Sequence, residues 1–213
     1  MDHLDYVLRL LDLGMVCVPL RQDGKHLDLA AMGYEPVHMR TRRKDLKELA
    51  FTGMAFHLAQ QPPSREAVAR WFDGFSGNVG ILGGHGNLLI LDFDDTRNFE
   101  RRRREREALV RSTPVAKSPS GFHVYLRSAE PMVSSSLHFG LRRVGHAKAL
   151  GGYIVASPST LQDGSKYSWL SGQSPFDLQL AAVSSLAAVS LLAVSPFKHA
   201  YDRLLGRGYF EDQ

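Results

Sequence analysis

The chain has 213 residues, 44% of them hydrophobic and 23% charged, which is enough for one well-buried domain with a small appended subdomain. Lys and Arg number 26 against 22 Asp and Glu, a formal net charge of +4 that permits a polyanionic partner without proving one. Cys17 is the only cysteine, which excludes a disulfide framework and a cysteine-based zinc site and fits a cytoplasmic location.

Hydrophobic periodicity predicts helices and strands that alternate along most of the chain, which is typical of a mixed α/β (α+β) domain. The predicted helices cover residues 2–13, 42–50, a segment that Ser64 caps, and the Arg-rich residues 97–111. The predicted strands cover residues 15–20, 53–58, 78–82, 87–94, 121–127, 151–157 and 167–169.

The C-terminal residues differ in composition from the rest. Residues 177–213 are rich in Ala, Leu, Val and Ser with helical spacing, so we divide the chain into a main domain, residues 1–176, and a small helical subdomain, residues 177–213. The apolar stretch at residues 180–194 is interrupted by serines and is shorter than the ~20 residues that a membrane-spanning helix needs. The N-terminal helix pattern contains acidic residues and does not resemble a signal peptide. We therefore expect no membrane association.

Residues 88–96 read LLILDFDDT, in which four apolar residues run directly into carboxylates. On a strand Asp92 and Asp94 share one face, because successive side chains alternate. Two carboxylates this close resist joint ionisation unless a cation or a basic group lies beside them. The pair is therefore a candidate metal site, and repulsion alone predicts that replacing both residues by Ala leaves stability equal or higher. The alternative is a solvated strand end at which Asp95 caps the next helix.

Residues 97–111, RNFERRRREREALVR, hold seven Arg against three Glu. One interpretation is a helix that follows a nucleic-acid backbone through phosphate contacts. The residues that would make these contacts are Arg101, Arg102, Arg103 and Arg104. The other interpretation is a solvated helix face with Glu–Arg pairs.

Residues 118–127, SPSGFHVYLR, combine a Ser120–Gly121 turn with a strand that carries His123 and Tyr125 on one face. A His donor beside a bound cation can hold a phosphate oxygen, and so can the backbone N–H groups of the turn. The alternative is a structural histidine. Further along, Lys166, Tyr167 and Trp169 offer a cation and aromatic faces that can seat phosphates and bases, although a hairpin packed for stability explains them equally well.

Taken together, these stretches resemble the bifunctional primase/polymerase (prim-pol) domains of the archaeo-eukaryotic primase superfamily, found in phage and plasmid replication proteins. The resemblance covers about residues 5–170. It rests on MVCVPL near the start, PSREAVARWFDGFSGNVGILGG, LILDFDD as DxD, SGFHVYLR as SGxH, and LGGYIVASPSTLQDGSKYSW as GGYxVxPPS…GxxYxW. It implies a prim-pol fold with an RRM-like catalytic sheet, DNA primase and template-directed DNA polymerase activity, and Mg²⁺ or Mn²⁺ held by the DxD acids in a two-metal site.

The resemblance also implies roles for individual residues. Asp92 and Asp94 would be catalytic metal ligands, and His123 would contact the phosphates of the incoming NTP or dNTP. The residues that we assign to nucleotide binding are Ser120, Gly121 and His123, which the resemblance implies, together with Lys117 and Lys166, which it does not. The implied partners are a single-stranded DNA template, contacted by the four arginines of the Arg-rich segment, and a helicase domain in a longer parent chain, of which these residues would be the N-terminal module.

One position departs from the family pattern. Where the family has DxRGxGGY, this chain has HAKALGGY, so His146 stands in the place of a third acid. Three interpretations are open: His146 binds the metal as a neutral imidazole, Asp95 substitutes for the missing acid, or one metal ion suffices. A catalytically reduced domain that binds nucleotide or single-stranded DNA on the same fold is therefore an alternative function.

A second enzyme class shares part of the pattern. LLILDFDDT also fits the hhhhDxDxT signature of haloacid-dehalogenase-type phosphatases, in which the first Asp is the nucleophile. Those enzymes need a stabilising Lys and a further acidic pair at a later strand end. The four Asp residues that follow Asp95 form no such pair, and Arg97 stands where an apolar residue is usual. The phosphatase is therefore the weaker alternative.

Overall fold

The computed structural model describes residues 3–34, 44–139 and 142–184. The helices are α1 (His3–Asp12), α2 (Lys44–Gln60), α3 (Arg65–Phe72), α4 (Thr96–Glu105) and α5 (Glu107–Arg111). The strands are β1 (Cys17–Leu20), β2 (Asn78–Leu82), β3 (Leu88–Phe93), β4 (Val115–Lys117), β5 (Phe122–Ser128), β6 (Ser135–Phe139), β7 (Arg142–Lys148), β8 (Tyr153–Val155), β9 (Ser168–Trp169) and β10 (Ala181–Val183). This mixture of helices and antiparallel sheets confirms the predicted α+β class.

The described strands form two sheets. The smaller sheet has the order β1-β2-β8, and the larger has the order β6-β7-β3-β5-β4-β9, with β10 added parallel to β5. Strand β3, which carries the acidic motif, lies inside the larger sheet and pairs antiparallel with β5 on one side and β7 on the other. The end of β3 therefore has a strand on each side to hold it in place.

The two faces of β3 pack against different parts of the protein. Leu88 and Ile90 join a buried cluster that includes side chains of α1, α3 and the smaller sheet. Leu89, Leu91 and Phe93 join a second cluster on the opposite face. Helix α4 covers this second face through Phe99, whose ring stacks on Phe122 at 4.0 Å between centroids.

The structure forms the predicted Ser64 cap, and it also forms the Asp95 cap that belonged to the alternative interpretation of the acidic motif. The Ser64 hydroxyl accepts a hydrogen bond from the backbone N–H of Ala67 at the start of α3. The Asp95 carboxylate accepts one from the backbone N–H of Asn98, at 2.7 Å, at the start of α4. Both contacts satisfy N–H groups that lack a partner inside the helix.

The predicted strand at residues 53–58 is wrong. These residues continue the helix predicted at 42–50, and α2 runs unbroken over Lys44–Gln60. Phe51, Ala55 and Leu58 are all buried, and their spacing of four and three residues places them on one face of a helix. Burial of that face outweighs the low helix propensity of Gly53, so the tertiary contacts decide the secondary structure.

Several short strands were not predicted, namely β4, β6, β7 and β10. The last of them corrects the predicted helical texture of residues 177–213, because Ala181–Val183 pair with Leu126–Ser128 of β5 instead of forming a helix. Residues 185–213 lie outside the described residues, and the division into two domains stays a prediction. In the part of the chain that the structure describes, no helix has the length and apolar character needed to cross a membrane.

Candidate active site

The acidic motif lies where β3 ends. Asp92 is the fifth residue of the strand and Asp94 follows it directly, its backbone N–H donating to the carbonyl of Val144 at 3.0 Å. Phe93, between them, packs into the opposite face, as the alternation of side chains predicts. The Asp92 side chain is 22% exposed and the Asp94 side chain 47% exposed, so the pair links the edge of the core to solvent.

Asp92 is part of a row of residues that crosses the larger sheet, with one residue from each strand. The row, in the order of the strands, is Ser136, His146, Asp92, His123, Ala116 and Trp169. Residues directly opposite one another on neighbouring strands point to the same face. The two histidines that the sequence analysis selected therefore lie on either side of Asp92.

His123 contacts Asp92 directly. Its Nε2 atom lies 3.2 Å from Asp92 Oδ1, and its side chain is only 5% exposed. Burial opposes ionisation of Asp92, but the hydrogen bond and charge of His123, together with the charge of Lys148, hold the pKa of Asp92 below its ordinary value. Asp92 is thus an anchored carboxylate, and we expect its loss to destabilise the fold, contrary to the argument from repulsion alone.

The second nitrogen of His123 is also buried. Nδ1 has no hydrogen-bond partner among residues 3–34, 44–139 and 142–184. In this arrangement His123 serves as a partner of Asp92 inside the sheet and does not expose a free donor to solvent. Its assignment as a phosphate contact stays a prediction.

Two glycines allow the chain to approach the end of β3. A Cβ atom at Gly121 would overlap the carbonyl oxygen of Phe93, and one at Gly145 would overlap the carbonyl oxygen of Asp92. The turn before β5 is closed by Ser118, whose hydroxyl accepts from the backbone N–H of Gly121 at 2.9 Å, while Ser120 is exposed. The glycine of the SGxH motif is therefore explained by close packing against β3, and Ser118 is a residue that sequence reasoning missed.

Strand β7 brings basic side chains to the acidic motif. Arg143 Nε lies 4.0 Å from Asp94 Oδ2, and Arg142 Nη2 lies 3.7 Å from Asp95 Oδ2. Lys148 is paired with Ile90, two residues before Asp92, and so shares its face of the sheet. Sequence reasoning missed these cations because β7 was not predicted, although an alternating strand ending at Lys148 would have placed Lys148 beside His146.

His146 is half-buried and lies directly across from Asp92. Burial lowers the pKa of His146, the charge of Lys148 adds to this effect, and the carboxylates of Asp94 and Asp92 oppose it. Because the net direction is downward, the imidazole is neutral at physiological pH. The position that holds an acid in the resembling family is therefore uncharged here.

The donors present fit one divalent cation. Within the described ranges, no three His, Cys, Asp or Glu side chains are grouped so that they could hold a metal ion. Asp95 is committed to the start of α4, since its two oxygens accept from the backbone and side-chain nitrogens of Asn98 at 2.7 and 2.6 Å. Asp92 and Asp94 remain, and one or two carboxylates, completed by water and substrate phosphates, are what Mg²⁺ commonly takes from a protein.

Several predicted site residues lie elsewhere. The Arg-rich helix α4 packs through Phe99 on the face of the sheet opposite Asp92, and its arginines contact glutamates, for example Arg102 with Glu105 at 2.5 Å and Arg103 with Glu100 at 3.5 Å. The structure therefore does not bring Arg101, Arg102, Arg103 and Arg104 to the acid pair, and it shows the Glu–Arg pairs of the solvated-face interpretation.

The two lysines assigned to nucleotide binding lie in different parts of the fold. Lys117 is paired with Phe122, whose side chain belongs to the α4 face, so Lys117 shares the face opposite the acid pair. The backbone of Lys166 pairs with that of Thr160 in an isolated antiparallel β-bridge, in the hairpin that precedes Tyr167. Tyr167 is buried, with its ring 5.7 Å from that of His123, so it packs in the core and does not offer a face to a base.

Comparison with known protein families agrees with this site. The chain matches the family model of the bifunctional DNA primase/polymerase, N-terminal (Prim-Pol), over residues 8–184. The protein is therefore a member of the Prim-Pol family, and the family implies a nucleotidyltransferase-type enzyme with DNA primase and polymerase activity. No curated protein of known function matches the sequence. The match confirms the resemblance seen in the sequence and decides against the phosphatase alternative.

Proposed function

We propose that this domain starts and extends DNA strands on a single-stranded template, that it requires Mg²⁺ or Mn²⁺, and that it belongs to a replication protein of a phage or plasmid. The observation that carries the proposal is the pair Asp92 and Asp94 at the end of β3, with Asp92 ionised and anchored by His123. A divalent cation bound to this pair would activate the attacking hydroxyl and neutralise charge on the phosphates of the nucleotide.

The side chains of this site have different roles: one anchors a carboxylate, and others supply charge. His123 holds the carboxylate of Asp92 in a fixed position, which limits the reorganisation that cation binding requires. Asp94 is the more exposed acid and presents its oxygens to solvent. Lys148 and Arg143 lie on the same strand beside the pair and add positive charge, which favours a polyphosphate ligand.

The proposed partners go beyond family membership and rest on the resemblance of the sequence motifs to phage and plasmid replication proteins. They are a single-stranded DNA template, an NTP or dNTP substrate, and a helicase domain in the same parent chain. A primase module next to a helicase would start strands where single-stranded template becomes available.

The experiment is incorporation of labelled nucleotides on unprimed and primed single-stranded templates with Mg²⁺ or Mn²⁺. The matched control replaces Asp92 and Asp94 by Asn, which preserves the size and shape of both side chains and removes both charges. We expect the native chain to extend both templates and the double variant to stay at background. A native chain that incorporates nothing with either ion, or a double variant that retains synthesis, would contradict the proposal.

A second candidate function is a domain that binds nucleotide or single-stranded DNA with reduced catalysis. The observation that favours it is the neutral His146 opposite Asp92, where the family pattern has an acid. This candidate predicts that the native chain retains a labelled nucleotide on a filter but incorporates none. It also predicts that His146→Asp gains incorporation, whereas His146→Asn, which has nearly the same size without the charge, does not.

A further inference from the structure

The charges beside the acid pair are already close to balanced before any ion binds. Asp92 and Asp94 carry two negative charges, and β7 places Lys148 and Arg143 beside them with two positive charges. Arg143 is also among the charges that act on His146. Both cations are carried on the strand paired with β3, so they stay near the acids whatever the substrate does.

Neither candidate for a third acid provides one. His146 faces Asp92 from β7 with a half-buried imidazole and no negative charge. Asp95 uses both oxygens on Asn98 at the start of α4 and also lies 3.7 Å from Arg142. The described residues contain no other grouping that would hold a metal ion with three such side chains.

We propose that this site works with a single divalent cation held by Asp92 and Asp94, and that Arg143 and Lys148 supply the positive charge that a second ion would bring to a site with three acids. The inference rests on the proposed function and specifies the number of ions it uses. It answers the question that His146 raises, since neither the imidazole nor Asp95 replaces the missing carboxylate.

The physical reason is the balance between attraction and repulsion. The first divalent cation would take both carboxylates as ligands, an attraction that offsets its repulsion by Lys148 and Arg143. A second would then meet the first ion and the two basic side chains with no unpaired acid to offset them, and like charges a few ångströms apart in a partly buried site repel strongly. A carboxylate at position 146 would turn the net repulsion of a second ion into attraction, because it would lie directly across from Asp92.

The test counts bound Mn²⁺ ions by the loss of the free-ion electron paramagnetic resonance signal, without added nucleotide, because a nucleoside triphosphate would itself bind Mn²⁺. The native chain is compared with three double variants. The first, Asp92→Asn/Asp94→Asn, removes both acids. The second, His146→Asp/Arg143→Gln, adds an acid, and the third, His146→Asn/Arg143→Gln, is its control without the new charge. Each variant is first checked for a native circular dichroism spectrum, and where the Asp variant does not fold, His146→Glu replaces it.

We expect one ion on the native chain and none on the Asn double variant. We expect two ions on the variant with the new acid and one ion on its Asn control. Arg143→Gln alone should raise Mn²⁺ affinity about two- to fivefold, as for the loss of an exposed charge pair. Two ions on the native chain, or one ion on the variant with the new acid, would overturn the inference. Since the count needs no synthesis, it is separate from the incorporation assay, so a native chain that binds one ion but incorporates nothing refutes the proposed function only.

Discussion

The contact between Asp92 and His123 makes a quantitative prediction about stability. Asp92→Ala removes the one partner that the described residues provide for the ring nitrogens of His123. A buried polar group left without its partner costs about 1–3 kcal/mol. For a chain of this length, 1 kcal/mol corresponds to about 2–4 °C in melting temperature, so we expect Asp92→Ala to lower the melting temperature by about 2–12 °C.

Two control variants separate this contact from charge repulsion. Asp92→Asn keeps an oxygen that can accept from His123 and should cost less than about 1 kcal/mol. Asp94→Ala changes a half-exposed side chain and should alter the free energy of unfolding by less than about 0.5 kcal/mol. The measurement is thermal unfolding by circular dichroism in a buffer with chelator, which removes any contribution from a bound cation. If Asp92→Ala melts at the native temperature or above it, repulsion dominates and the anchoring role of His123 is refuted.

Three further predictions concern other parts of the fold. Gly121→Ala should lower the free energy of unfolding by about 1–3 kcal/mol, because the new Cβ would overlap the backbone of β3. Gly53→Ala has open space in α2 and should raise the free energy of unfolding by about 0.5–1 kcal/mol. Urea unfolding measures both changes, and equal effects would refute the packing argument. Replacing Arg103 and Arg104 by Gln should leave the salt dependence of single-stranded DNA binding unchanged, and a slope reduced by about 0.7 per residue would instead restore the phosphate-tracking interpretation. Burial raises the pKa of Tyr167 to about 12. The contribution of the neutral Tyr167 to stability is therefore complete below pH 10.0, the ordinary pKa of tyrosine, and is lost as the pH rises towards 12. Phenolate absorbance should show Tyr167 ionising only as the fold opens, and ionisation near pH 10 in a folded chain would contradict this prediction.

The parts of the site that sequence reasoning located share one property, which is that strand alternation determines them. Asp92 and Asp94 follow a strongly apolar run, and His123 follows a turn, so the strands that carry them could be recognised from local pattern alone. That these two strands are neighbours is a separate condition, and the pairing of β3 with β5 meets it. The contact between Asp92 and His123 itself could not be predicted, because it depends on the register between two strands that are about thirty residues apart in the chain.

The errors have physical causes of other kinds. In α2, Gly53 and its neighbours suggest a break, but the buried face formed by Phe51, Ala55 and Leu58 continues through it. Strand β7 reads RRVGHAK, with two exposed arginines at its start and a buried glycine in its middle. Its pattern therefore lacks the apolar alternation of a half-buried strand, and the cations beside the acid pair were missed with it. Strand β10 consists of Ala and Val, residues whose local pattern also fits a helix, and only its pairing with β5 decides between the two.

The row that crosses the larger sheet has a consequence for how such a site can change. Its members come from six different strands, one from each, so a substitution at one position replaces a single side chain and leaves the backbone pairing of the others intact. Because the sheet provides the geometry and each strand provides one chemical group, exchanging an acid for a histidine at position 146 can change the ion requirement without requiring a new fold. Proteins with this architecture could therefore differ in metal use while remaining nearly superimposable in their backbones.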